Sequence, residues 1–151
     1  LKIVGEGPER SKLEKEIKKL NLGDSILLTG YSNNVKKEML ESSIFVMTSI
    51  FEGFPLVLLE AMSYGLPIVT FDYQFGPKDI IKEGINGFLI ENRSIESLSK
   101  KIILLIQNKQ IRENMSYQAL IQVKEFDLSN IISQWMNLFN SLVTKNDLTI
   151  H

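Results

Sequence analysis

Cysteine is absent from this chain of 151 residues, and histidine occurs once, as the last residue, His151. The first absence excludes a disulfide framework, a thiolate zinc site and a cysteine nucleophile. The second excludes a His-Glu-x-x-His metalloprotease and a buried Ser-His-Asp triad. Charge of one sign is also lacking, with 17 Lys and Arg against 18 Asp and Glu. That balance argues against a strongly basic nucleic-acid binder. No apolar run approaches the ~18 residues needed to span a bilayer, and the chain does not open like a signal peptide. These absences predict a soluble domain of a reducing, cytoplasmic compartment, with no nucleic-acid partner. What is present is one domain's worth of sequence, 44% hydrophobic and long enough to bury roughly 68–70% of its unfolded surface.

The apolar pattern alternates between short runs and amphipathic stretches. Strands are predicted at Leu1–Val4, Ser25–Thr29, Ile44–Ser49, Pro67–Asp72 and Gly87–Ile90, as brief apolar runs stopped by Gly, Asn or Asp. Helices are predicted over Glu9–Leu20, from Asn33 or Asn34 to Ser42, over Pro55–Tyr64, and near Pro77–Lys82. Three more follow, from a Ser94 cap to Gln107, over Lys109–Glu125 and over Ser129–Val143. The last carries Trp135, Leu138, Phe139 and Leu142 at helical spacing, a stripe expected in the core. Short buried strands alternating with helices indicate an α/β fold, a Rossmann-like parallel sheet with helices on both faces. No repeat or interdomain linker is visible, so residues 1–143 read as one domain and 144–151 as a polar tail.

Ligands in such sheets bind at the carboxyl ends of the strands, which directs attention to the loops Gly5–Pro8, Gly30–Asn34 and Ile50–Pro55. Gly5-x-Gly7 opens like a dinucleotide fingerprint, but Arg10 stands where the third glycine belongs, and nicotinamide chemistry is set aside. The stretch from Glu52 to Val69 is richer. Glu52 lies just before a helix, and Glu60 lies inside it among Leu56, Val57, Leu58, Leu59, Ala61 and Met62. A carboxylate in so apolar a helix is costly unless paired or hydrogen-bonded. Helical side chains tilt toward the N-terminus, so Glu60 stacks under the turn of Leu56 and Val57, whose free N–H groups form a natural anion site. One segment thus offers an acceptor, a phosphate cradle and, about 7–8 Å deeper, a second acceptor. Those parts suit a sugar, a diphosphate and a ribose held in line. On the residues alone a second reading stands beside this one: Glu52 stabilises a helix N-terminus and Glu60 satisfies a buried backbone donor.

The pattern Glu52-x7-Glu60-Ala-Met-x-x-Gly65-x-Pro67 resembles the signature of the retaining glycosyltransferases of group 1, or family 4, which have the GT-B fold. Ile3-Val4-Gly5-Glu6-Gly7-Pro8, Leu28-Thr29-Gly30-Tyr31, Gly76-Pro77-Lys78-Asp79-Ile80-Ile81 and Gly84-x-Asn86-Gly87-Phe88-Leu89 agree with it in order and spacing. The resemblance implies most of a C-terminal, nucleotide-sugar-binding domain, whose N-terminal partner domain and first strand lie outside this sequence. It implies that Glu52, the catalytic candidate, hydrogen-bonds donor-sugar hydroxyls and that Glu60 binds the ribose. Backbone groups around Leu56 and Val57 would meet the diphosphate, and Gly30, Tyr31, Ser32 and Asn33 would border the base. Phe54 and Pro55 depart from the common Glu-x-Phe-Gly form. Proline removes one donor, so the cradle should rest on the amides after it.

Retention in the family is attributed to front-face attack, with no protein nucleophile and no metal, and the resemblance implies no cofactor beyond the donor itself. The family's diphosphate-clamping Arg and Lys have no match in Lys2, Arg10 or Lys12, so this chain alone is expected to transfer nothing. Acceptors would be polysaccharide, lipid-linked or protein. The basic residues Arg10, Lys12, Lys15, Lys18 and Lys19 leave open peripheral contact with the inner face of a membrane, although Glu9, Glu14 and Glu16 dilute them. Two other readings of Glu52 and Glu60 remain: an acid/base pair of a glycosidase, and a nucleotide-binding module without catalysis.

Overall fold

The computed structural model describes residues 1–73 and 76–146, with side chains to residue 143. Its contacts divide the chain into two compact units, Leu1–Glu38 and the residues from Met39 onward. In the first, β1 (Lys2–Val4), α1 (Arg10–Lys19) and β2 (Leu27–Gly30) form a βαβ unit whose two strands pair in parallel, Lys2 with Leu27 and Ile3 with Leu28. Helix α1 buries no residue. Its charges are spent locally: the Arg10 guanidinium donates to Glu14 at 2.9 Å and to Glu6 at 2.8 Å, and the Lys12 ammonium pairs with Glu9 at 2.9 Å. The basic run predicted from the sequence is therefore in good part an ion-paired helix face.

Helix α2 (Val35–Leu40) crosses into the second unit. Asn34 caps it, its Oδ1 accepting the Lys37 N–H at 3.0 Å. The second unit contains β3 (Phe45–Met47), α3 (Leu56–Ser63), β4 (Ile68–Phe71), α4 (Pro77–Ile80) and β5 (Gly87–Ile90), then α5 (Ile95–Gln107), α6 (Lys109–Gln122) and α7 (Leu128–Asn146). The strands form a parallel sheet in the order β3-β4-β5, with Phe45 opposite Ile68 and Ile68 opposite Gly87. The five predicted strands all form, in two parallel sheets rather than one.

Alternation along the three-stranded sheet explains its burial on both faces. Ile68, Met47 and the half-buried Leu89 point to one side, against Leu58, Ala61 and Met62 of α3 and Ile80 of α4. Val69, Phe71, Phe88 and Ile90 point to the other, against Leu105 of α5 and Met115 of α6. Every residue of β4 is buried, as a central strand between two helical layers must be. The fold is thus the α/β class read from the sequence, helices covering both faces of a parallel sheet.

Caps fall where the sequence places them. The Ser94 hydroxyl accepts the Ser97 N–H at 3.1 Å and starts α5. Replacing Ser94 by alanine should cost about 1 kcal/mol. Urea unfolding would read that loss, and an unchanged midpoint would show that the cap contributes nothing.

One expectation is corrected. The stripe on α7 is not core: Trp135 and Phe139 are 54% and 52% exposed, and Leu138 and Leu142 are exposed beside them. The two rings pack on each other, centroids 5.5 Å apart. Helical spacing shows that a face is apolar, and says nothing of what covers it. The helix also runs on through Asn146, while His151, like Phe75, lies outside the described residues. Among the described residues no helix is long and apolar enough to cross a membrane.

Candidate functional site

Strand β3 ends at Met47, and residues 48–55 lead to α3 at the carboxyl end of the sheet. Pro55 is buried and occupies the N-cap position of α3, where a missing N–H costs nothing and a fixed φ helps the helix to start. Gly65, with φ +68°, follows the helix and ends it. Between them Leu58, Ala61 and Met62 face the core. Leu56, Glu60 and Ser63, spaced at i, i+4 and i+7, form the exposed stripe.

Glu60 is thereby placed differently from the sequence expectation. It is exposed, not buried, and the reading in which it satisfies a buried backbone donor falls with that. The helix is apolar nearly all round because Leu56, although 64% exposed, is apolar too. Glu52 is half-buried ahead of the helix. Neither carboxylate has a hydrogen-bond or ion-pair partner among the described residues.

The cradle between them is narrower than the sequence suggests. The Leu56 N–H donates to the Phe54 carbonyl at 3.0 Å, and the Leu58 N–H to the Pro55 carbonyl at 2.9 Å. Val57 keeps an N–H with no acceptor among the described residues, at the positive end of the helix. The same loop and helix start also carry exposed apolar side chains, Ile50, Phe51, Phe54 and Leu56. Ile50 and Phe51 lie in the Ile50–Pro55 loop to which the sequence directs attention, but neither stands there as a site candidate in its own right. Their exposure beside a carboxylate is what marks them.

Two supports hold the turn. A Cβ on Gly76, where φ is +96°, would stand 2.7 Å from Pro55 Cδ and 2.8 Å from the Gly53 carbonyl oxygen, so the backbone there touches the turn directly. From the other side the Phe126 ring packs on Phe54, centroids 6.1 Å apart. Asp72, at the end of β4, pairs through Oδ2 with the Lys78 ammonium at 2.9 Å, while its buried Oδ1 has no partner among the described residues. Asp79 is exposed on α4, and Tyr73 packs into the core.

Gly30, Tyr31, Ser32 and Asn33 follow β2 in the first unit. Gly30 is buried with φ +72°, and its carbonyl accepts the Gly5 N–H at 2.9 Å. Tyr31 is fully presented to solvent, and the Ser32 hydroxyl accepts the Asn34 N–H at 3.2 Å. The structure therefore brings Glu52, Phe54, Pro55, Leu56, Val57 and Glu60 together on one turn and helix, and places the other four residues on a turn of their own. Among the described residues no three His, Asp or Glu side chains cluster closely enough to hold a metal ion.

Glu52, Glu60 and the start of α3 thus lie at the carboxyl end of a parallel sheet in an α/β unit, the place where open sheets of this class bind ligands. The profile of the glycosyl transferases group 1 matches residues 1–121, and the chain belongs to that family. Poly(glycerol-phosphate) α-glucosyltransferase of Bacillus subtilis (strain 168) is 34% identical over 143 residues, covering 95% of this chain and 21% of that protein. Poly(ribitol-phosphate) α-N-acetylglucosaminyltransferase of Staphylococcus aureus is 36% identical, covering 92% of this chain and 28% of its own length.

Among solved structures, TarM superposes with a TM-score of 0.84 at 34% identity over 92% of this chain and 28% of that one. A second TarM structure, from S. aureus, is a complex with fondaparinux, α-GlcNAc-glycerol and UDP. The pneumococcal O-GlcNAc transferase GtfA, in complex with UDP and GlcNAc, matches with a TM-score of 0.78 at 27% identity, over 94% of this chain and 29% of that one. The chain spans well under half the length of each of these relatives.

Proposed function

We propose that this chain is the donor-binding part of a retaining glycosyltransferase, which takes a nucleotide-diphosphate sugar and passes the glycosyl group to a polysaccharide, lipid-linked or protein acceptor. The observation that carries the reading is the pair of carboxylates, Glu52 and Glu60, before and after the Val57 N–H at the start of α3, none of which has a partner among the described residues. A carboxylate with no partner in its own fold is available to accept hydrogen bonds from hydroxyls. In this reading Glu60 takes the ribose, Glu52 the donor sugar, and the helix start the diphosphate between them.

The chemistry suits that arrangement. Departure of a nucleoside diphosphate builds positive charge at the anomeric carbon and negative charge on the leaving phosphate. The Val57 N–H and the aligned peptide dipoles of α3 stabilise the second charge, in a site where they need no reorganisation. Attack from the front face retains configuration without a protein nucleophile, so Glu52 orients and polarises the sugar and forms no bond to it. A further domain of the same protein supplies the acceptor side, the cationic clamp comes from the region after the first strand of this same donor-binding domain, and a cytoplasmic site at the inner membrane face would suit a lipid-linked acceptor. UDP, the nucleotide held by the TarM and GtfA complexes, is the first candidate leaving group.

The test is titration calorimetry with UDP, GDP, ADP and their common sugar conjugates, on the full-length protein and on this chain, with Glu60→Gln beside each. One nucleotide should bind the full-length protein and lose at least about tenfold in affinity in the variant, the worth of one charge-assisted hydrogen bond. This chain alone should bind more weakly and transfer nothing. Binding that ignores Glu60→Gln would overturn the assignment. Hydrolysis of an aryl glycoside without nucleotide would favour a glycosidase instead.

A further inference from the structure

We propose that Asn86 and Gln122 are positioning residues for the turn that carries Glu52, because their buried carboxamide bond ties together the two supports on which that turn rests. The catalytic consequence rests on the donor-site reading above; the mechanical one does not.

Asn86 is fully buried and Gln122 nearly so. The Asn86 Nδ2 donates to the Ile80 carbonyl at 3.0 Å and to Gln122 Oε1 at 2.9 Å, while its Oδ1 accepts the Lys82 N–H at 2.9 Å. Packing alone does not call for such a pair. Two aliphatic side chains of equal volume would hold the elements together about as well, without the cost of desolvating amides. A hydrogen bond adds direction, fixing how far and at what angle one element stands from the other.

The elements so fixed are the two that touch the turn. Ile80 ends α4, and the backbone just before α4, at Gly76, abuts Gly53 and Pro55. Gln122 ends α6 and leads directly into the 3₁₀ turn Val123–Phe126, whose Phe126 ring lies on Phe54. Gly53, Phe54 and Pro55 are therefore held from two sides, and Asn86–Gln122 is the link between those sides. With the link cut, each support moves independently, and Glu52 and the first turn of α3 lose their common reference.

The variant that tests this is Gln122→Met, which keeps volume and leaves Asn86 its bond to Ile80. In the full-length protein, hydrogen exchange at Leu56 and Leu58, whose N–H groups are bonded to the Phe54 and Pro55 carbonyls, should speed up about tenfold, while the amides of Val69 and Thr70 in β4 keep their rates. kcat for glycosyl transfer should fall about ten- to a hundredfold as Glu52 loses its place, and the donor KM should rise with the displaced helix start, with the acceptor KM unchanged. Phe126→Leu, which weakens one support without opening the buried pair, should reproduce the faster exchange at Leu56 and Leu58. Leu105→Ala, a cavity on the opposite face of the sheet, should not.

Unchanged exchange at Leu56 and Leu58 in Gln122→Met overturns the proposal whatever Phe126→Leu does, as does an equal rise in Leu105→Ala. Altered exchange in a protein whose unsubstituted form binds no nucleotide sugar supports the tie and defeats the donor-site reading instead.

Discussion

Gly87→Ala is expected to destabilise the fold by about 3 kcal/mol or more, at the upper end of what overpacking costs. Gly87 opens β5 and pairs with Ile68 of the central strand. A Cβ built on Gly87 overlaps the Ile68 carbonyl oxygen and stands 3.2 Å from the Ile68 carbonyl carbon and Cβ. The obstacle is backbone and β-branched side chain, so no rotamer change relieves it. Either β5 withdraws from β4 or the register slips, and a slip by one residue would turn Phe88 and Ile90 out of their core. This is the close approach of two backbones that glycine in a strand commonly marks.

Gly53→Ala is the matched comparison. It has open space around the position and no positive φ, so its effect should stay within about 1 kcal/mol. Urea denaturation followed by circular dichroism compares the two directly. A Gly87→Ala midpoint equal to that of Gly53→Ala would show that β4 and β5 are not packed as tightly as the structure has them.

Much of this was legible in the residues. Pro55 and Gly65 bracket α3, Ser94 and Asn34 cap their helices, and the run from Ile68 to Phe71 reads as a strand buried on both faces, as it is. Local chemistry settles each of these, because cap, stop and alternation act within a few residues. The errors have a common physical source. Glu60 was expected to be buried because its neighbours are apolar, and Trp135 was expected in the core because its stripe is regular. In both cases composition identified an apolar surface, while burial depends on what other elements reach it. The division of the strands into two sheets is of the same kind, since pairing partners leave no local pattern.

The candidate site shows the same limit. Glu52, Glu60 and the intervening helix start are one continuous segment, and spacing alone brings them together. The parts that hold them are distant in sequence: Gly76 follows the next strand, Phe126 lies beyond α6, and Asn86 meets Gln122 across 36 positions. Asn86 appeared only as one letter of a motif. Its three hydrogen bonds, and hence its consequence for the turn, exist only in three dimensions.

Glu52→Gln should lower kcat for glycosyl transfer by the full-length protein about 10²–10³-fold, the scale seen when one preorganised electrostatic group is removed from a transition state. It should leave the melting temperature nearly unchanged. The two halves of the expectation have one origin. Glu52 is half-buried and has no partner among the described residues, so the fold draws little stability from its charge. A glutamine keeps the shape and one acceptor oxygen but loses the charge that favours a developing positive anomeric centre.

Glu60→Gln should behave differently. A ribose contact is the same in ground and transition states, so its loss raises the donor KM and spares kcat. Steady-state kinetics with varied donor at saturating acceptor separate the two. Were Glu52→Gln to raise only KM, Glu52 would be a binding residue like Glu60, and the catalytic role would have to be sought elsewhere. The Asp72 carboxylate at the end of β4, held by Lys78 through one oxygen and without a partner among the described residues at the other, would then be the next group to replace.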